Sequence, residues 1–133
     1  MAGHEYAGHT TLRSPLGRVR GLGSAKSGTH HWWLQRVTSV LLLPLTIWFA
    51  LSAALLAGAS HAETVAWIGR PHNAVLLLAT IGLSFHHTAA GAQVILDDYV
   101  NREWARMGAI LAVNTICGLL ALASALAVLR MAI

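Results

Sequence analysis

Two adjacent histidines, His86 and His87, sit in a stretch from residue 74 to residue 96 that contains no Asp, Glu, Lys or Arg. Titratable side chains in hydrocarbon are costly and are retained chiefly where they pair or do chemistry. At 1.5 Å per helical residue, each lies roughly 14–17 Å from the end of the stretch at Leu96, near the middle of a bilayer. A neutral imidazole at that depth has two uses. It can hydrogen-bond a neighbouring helix, or it can hold the iron of a haem as an axial ligand. Adjacent helical residues point about 100° apart, so the two cannot grip one iron from opposite faces. The other six histidines (His4, His9, His30, His31, His61 and His72) all fall outside the apolar stretches. A haem with two histidine ligands must therefore take its second from another chain.

Helical spacing sets what each histidine shares a face with. His87 aligns with Thr80, Gly91, Val94 and Asp98, and His86 aligns with Ala79, Gly82, Ala90, Gln93 and Asp97. Small residues at 90 and 91 leave room for a flat macrocycle or a close helix. Helix geometry does not choose between the two histidines. The stretch ends in Gln93-Val94-Ile95-Leu96-Asp97-Asp98-Tyr99. Two acids and a phenol there offer proton acceptors and a hydroxyl donor beside an apolar groove. The same residues also suit a helix end meeting water, with Tyr99 as an interfacial anchor. Acids at a helix C-terminus oppose the helix dipole, which favours a functional use of Asp97 and Asp98. Asn114 is expected to make a helix-packing hydrogen bond. Cys117, the single cysteine, is expected to be a buried small hydrophobe, and it rules out an internal disulfide.

The elements that position these residues follow from composition. Of 133 residues, 56% are hydrophobic and 11% charged, against roughly 45–50% and about 25% in soluble domains. The mean hydropathy is +0.59, and a soluble chain this short has too much surface to hide so much apolar side chain. Three segments without charged residues, 37–58, 74–96 and 107–129, meet the roughly 20 residues that a helix needs to cross a bilayer. A backbone in lipid must satisfy its own hydrogen bonds, so the fold class is all-α, integral membrane, with three transmembrane helices. Pro44 should kink the first span by removing a donor. Linker 59–73 carries the loop punctuation Gly69, Pro71 and Asn73. Residues 1–36 form an N-terminal segment and 37–133 a membrane domain. Residues 1–27 read as a mobile tail, with Trp32, Trp33 and Arg36 in the headgroup zone.

Charge placement gives the orientation. Arg13, Arg18, Arg20, Lys26, Arg36, Arg102 and Arg106 share one side, and Arg70 and Arg130 share the other. Basic loops stay in the cytoplasm, so the N-terminus is expected there, or in a mitochondrial matrix, with the C-terminus opposite. A nucleic-acid binder could share the net charge of +4, but it would not bury the rest of its chain in lipid.

The run His87-Thr88-Ala89-Ala90-Gly91-Ala92-Gln93-Val94-Ile95-Leu96-Asp97-Asp98-Tyr99-Val100 resembles the H-x3-G-x-Q-x4-D-Y signature of the small membrane-anchor subunit (D chain) of succinate dehydrogenase. Gly28-Thr29-His30-His31-Trp32-Trp33-Leu34-Gln35-Arg36-Val37-Thr38-Ser39 is similar to the family's G-x-H-x5-R-x-T segment, and bacterial members often show the His-Trp-Trp cluster. The resemblance covers about residues 28–133.

The resemblance implies that His87 is the axial ligand of haem b, with the other ligand from a larger anchor subunit. It places Arg36 and His30 near the haem propionates. Tyr99 would hydrogen-bond a carbonyl of ubiquinone, and Asp98 would help deliver protons. The three spans would form half of a helix bundle completed by the larger anchor. The chain would dock a flavoprotein and an iron–sulfur subunit on the cytoplasmic face of a bacterial inner membrane, and it would not catalyse dehydrogenation alone. His86 has no family role. A fumarate reductase anchor would run the same chemistry in reverse with menaquinone, though the D-Y ending favours the succinate enzyme. A non-redox scaffold or assembly subunit would use its histidines only for packing.

Overall fold

The computed structural model describes residue 16 and residues 26–133. Most of segment 1–36 lies outside the described residues. From Lys26 onward the chain forms four helices: α1 (Lys26–Leu56), α2 (His61–Ile68), α3 (Pro71–Tyr99) and α4 (Glu103–Ala132). Three of them, α1, α3 and α4, are long and apolar enough to cross a membrane. All are longer than the charge-free segments. The helix of α1 begins well before residue 37, and α3 continues through Asp97 and Asp98 to Tyr99. Charged residues end a hydrocarbon-compatible segment, but they do not end a helix whose backbone bonds remain satisfied.

Pro44 lies inside α1, which nonetheless runs as one helix. Gly58 turns the chain after α1 at φ 89°, a left-handed conformation that L side chains rarely adopt. The linker 59–73 is more ordered than Gly69 and Pro71 suggest, because it contains α2. Ser60 caps this helix reciprocally: its hydroxyl accepts from the Glu63 backbone N–H at 3.3 Å, and its own N–H donates to Glu63 Oε2 at 2.7 Å. That backbone bond, reinforced by the Ser60 hydroxyl, holds the Glu63 carboxyl below its ordinary pKa. The cap is therefore complete above the ordinary carboxylate range and is lost as pH falls through the depressed value. Protection of the α2 amides from hydrogen exchange, corrected for the intrinsic pH dependence of exchange, should fall on acidification, and Ser60→Ala should lower it at every pH.

Packing is inverted relative to a soluble protein. Six of the eight buried residues among those described are small or polar (Thr38, Ser52, Asn73, Thr80, Ala74 and Ala90), whereas Leu55 is 86% exposed and Leu111 69% exposed. Large apolar side chains thus face outward, as lipid or a partner helix requires, while small residues let helices approach. The apolar cluster sits at one end, where Ile68, Ala74 and Val128 gather with Trp67, Leu78 and Met131. Trp67 also stacks on Trp48 of α1, with ring centroids 5.8 Å apart. Asn73, 3% exposed, donates to the Trp67 carbonyl at 2.8 Å and ties α3 to α2. The opposite end, with the start of α1 and the α3–α4 turn, is left more open. There Arg106 pairs with Asp97 at 3.6 Å across the turn.

Candidate functional site

At this open end α1 crosses α3, and the crossing separates the two histidines. Gly91 permits the approach: a Cβ built there would lie 3.4 Å from Gln35 Nε2 of α1. One helical turn earlier on α3, His87 Nδ1 lies 2.9 Å from Thr38 Oγ1, and Thr38 is 5% exposed. His87 therefore faces α1. It lines a groove of about 880 Å³ together with His30, Arg36, Gln35, Gly91 and Val94. His86, about 100° further round, faces α4 instead. It lines two smaller cavities of about 280 and 210 Å³, both shared with Ala89 and Asn114, the smaller also reaching His31 and Leu34 of α1.

Three of the residues singled out in the sequence thus meet at one groove: His87, Arg36 and His30. Arg36 is exposed and sits over the Trp32 ring, 5.4 Å from its centroid, where a cation is attracted by the indole face. Asp98 and Tyr99 do not line this groove. Both are exposed at the end of α3, Tyr99 by 80%, and they lie roughly 17–18 Å from His87 along the helix at 1.5 Å per residue. Asp97 reaches the groove rim and pairs with Arg106. Asn114 is exposed beside His86, and Cys117 is only half-buried, lining the larger of the two small cavities. The open space between α3 and α4 at this level leaves Cys117 without the full burial expected of it.

Spacing alone missed Thr38 and Gln35. Thr38 lies in the R-x-T segment, but its contact with His87 depends on which helix docks against which face of α3. Two buried polar atoms at the groove, His31 Nε2 and Gln35 Oε1, have no hydrogen-bond partner among the described residues. Buried polar groups are nearly always paired in a finished structure, so the groove has the character of a surface that something else completes. Gly91→Ala should be tolerated, because the flexible end of Gln35 can move aside. Gly91→Leu overpacks the α1–α3 crossing and should cost about 1–3 kcal/mol, which thermal denaturation of the purified complex would register.

Comparison with known proteins agrees with this arrangement of spans. A family profile described as succinate dehydrogenase/fumarate reductase transmembrane subunit matches residues 10–122. A succinate dehydrogenase hydrophobic membrane anchor subunit from Rickettsia bellii (strain RML369-C) is 35% identical over 104 residues, covering 77% of this chain and 82% of its own. The succinate dehydrogenase membrane anchor subunit of Reclinomonas americana is 33% identical over 94 residues, covering 68% and 78%. The hydrophobic membrane anchor subunit of the Paracoccus denitrificans enzyme is 34% identical over 86 residues, covering 65% and 67%. No solved structure matches the chain. With its helical spans and this extent of similarity, the chain belongs to the succinate dehydrogenase/fumarate reductase transmembrane-subunit family, among the membrane anchors of succinate dehydrogenase.

Proposed function

We propose that this anchor co-ligates haem b through His87 and contributes Tyr99 and Asp98 to a ubiquinone-reduction site, in a complex with a flavoprotein, an iron–sulfur protein and a larger anchor subunit. The observation that carries the reading is the groove at His87. Its volume of about 880 Å³ falls within the roughly 300–1,000 Å³ of ligand-binding pockets, whereas the cavities at His86 lie below that range. The residues present fit a haem. The groove offers one imidazole with a second-helix hydrogen bond, an arginine placed where carboxylates would be favoured, and apolar walls from Leu34 and Val94. It also has unpartnered polar atoms that a bound group or the second anchor could satisfy.

The division of labour follows from the residues. His87 supplies a nitrogen lone pair, and Arg36 and His30 supply positive or hydrogen-bonding groups at the groove mouth. When bound, haem b supplies a one-electron redox centre within the membrane. Succinate gives up two electrons and two protons at the partner flavoprotein, and a quinone takes up two of each at the membrane. Tyr99, exposed at the end of α3, would donate its phenolic hydrogen to a quinone carbonyl and polarise it. Asp98 beside it can pass protons from the aqueous side. The outward apolar faces of α1 and α4 are then shared between lipid and the larger anchor, which completes the bundle and provides the second iron ligand. Seven basic residues in the sequence before residue 37 and between residues 97 and 106 favour a cytoplasmic location for that side in a bacterial inner membrane. Purification of the complex by a tag on this chain, with identification of the co-purifying subunits by mass, tests the partner assignment. A flavoprotein, an iron–sulfur protein and a second anchor are expected, and recovery of this chain without them would overturn it.

A further inference from the structure

We propose that Thr38 positions His87, holding its imidazole in the tautomer that is protonated on Nδ1 and carries its lone pair on Nε2. The direction of the hydrogen bond can be derived from the partners of the threonine hydroxyl. Thr38 Oγ1 lies 2.8 Å from the Leu34 carbonyl oxygen and 3.1 Å from the Gln35 carbonyl oxygen. Carbonyl oxygens only accept, so the single hydroxyl hydrogen is committed to them, and contact at these distances would be repulsive otherwise. Oγ1 is left with a lone pair toward His87 Nδ1, 2.9 Å away, and that nitrogen must therefore be the donor. A neutral imidazole carries one N–H, so Nε2 is unprotonated and free to bind a metal.

Burial makes this bond decisive. Thr38 is 5% exposed, so water cannot easily replace it as the acceptor. A threonine side chain in a helix is also restricted at χ1, and the α1 backbone thereby fixes the acceptor that orients the ring on α3. The consequence for a redox group rests on the reading of His87 as the iron ligand. Donation from Nδ1–H to a hydroxyl increases electron density on the imidazole. It makes His87 a stronger donor through Nε2 and favours the oxidised iron.

The test compares Thr38→Val, Thr38→Ser and His87→Leu in the intact complex. Valine keeps the volume and branching but removes the acceptor, and serine keeps the hydroxyl. Thr38→Val is expected to weaken haem retention roughly 10–100-fold and to raise the haem midpoint potential, while Thr38→Ser stays near the wild type in both. Equal impairment in the valine and serine variants, or no change in the valine variant, would overturn the inference. His87→Leu addresses the underlying reading separately, since full haem content in that variant would remove His87 as the ligand. Nitrogen-15 shifts of labelled His87 in the reduced complex report the tautomer directly. A protonated Nδ1 is expected in the wild type and in Thr38→Ser, and an unprotonated Nδ1 would overturn the inference whatever the haem result.

Discussion

His87→Leu is expected to abolish haem binding in the assembled complex, while His86→Leu leaves haem content close to the wild type. The two residues are neighbours of identical chemistry, so the contrast isolates position. His87 faces α1, is hydrogen-bonded by Thr38 and lines the groove of about 880 Å³. His86 faces α4 and opens only on cavities of about 280 and 210 Å³ beside Asn114. Leucine is similar in length to histidine and suits a lipid-embedded helix, so neither substitution should prevent insertion. Removing an iron ligand takes away a coordinate bond, whereas removing an exposed-cavity histidine takes away at most a helix–helix hydrogen bond of about 0.6 kcal/mol. The pyridine haemochrome absorbance per flavin, measured on both purified variants, checks this. Loss of haem in His86→Leu with retention in His87→Leu would reverse the assignment.

Tyr99→Phe is the second large effect. The substitution removes one oxygen from an 80%-exposed side chain at the end of α3, so fold and assembly should be unaffected. If the phenol donates to a quinone carbonyl as negative charge builds on that oxygen, its loss should reduce quinone turnover by roughly 100-fold or more. Succinate oxidation assayed with a soluble dye should persist, because the dye takes its electrons upstream of the membrane site. The diagnostic quantity is the ratio of the two activities. An unchanged ratio would take Tyr99 out of the quinone site, and a parallel fall in both would indicate damaged assembly instead.

The spans were legible because lipid imposes a simple demand, about 20 helical residues without charge. Their true ends were not, since Lys26 and Asp97–Tyr99 extend the helices into a zone where charged side chains are solvated. The helix α2 could have been read from Ser60 and Glu63, whose spacing is that of a capping box, but Gly69 and Pro71 in the same linker suggested an irregular loop. Helix geometry left His86 and His87 equivalent, and the resemblance favoured His87 through its spacing to Asp98-Tyr99; what neither showed is the different surroundings of the two rings. A helical wheel shows that they face different ways, but only the docking of α1 against Gly91 and Thr38 makes one of those directions the groove. For the same reason Thr38 is unremarkable in sequence and consequential in the fold. Asp97 and Asp98 read alike as adjacent acids, yet one pairs with Arg106 and the other stays exposed.

Among the described residues, the charge-free parts of α1 and α4 hold no histidine. His30 and His31 of α1 also line the groove, but they lie about two helical turns before Thr38, and the role proposed for His30 is at the propionates and not at the iron. The central claim is therefore a shared site, one imidazole from this chain and one from a partner. The electron paramagnetic resonance spectrum of the oxidised, purified wild-type complex tests it most directly. A low-spin ferric b-type haem with two imidazole ligands, absent when this chain is purified alone, is the predicted result. A complex with no low-spin haem signal, or a chain that binds haem in that form by itself, would contradict it.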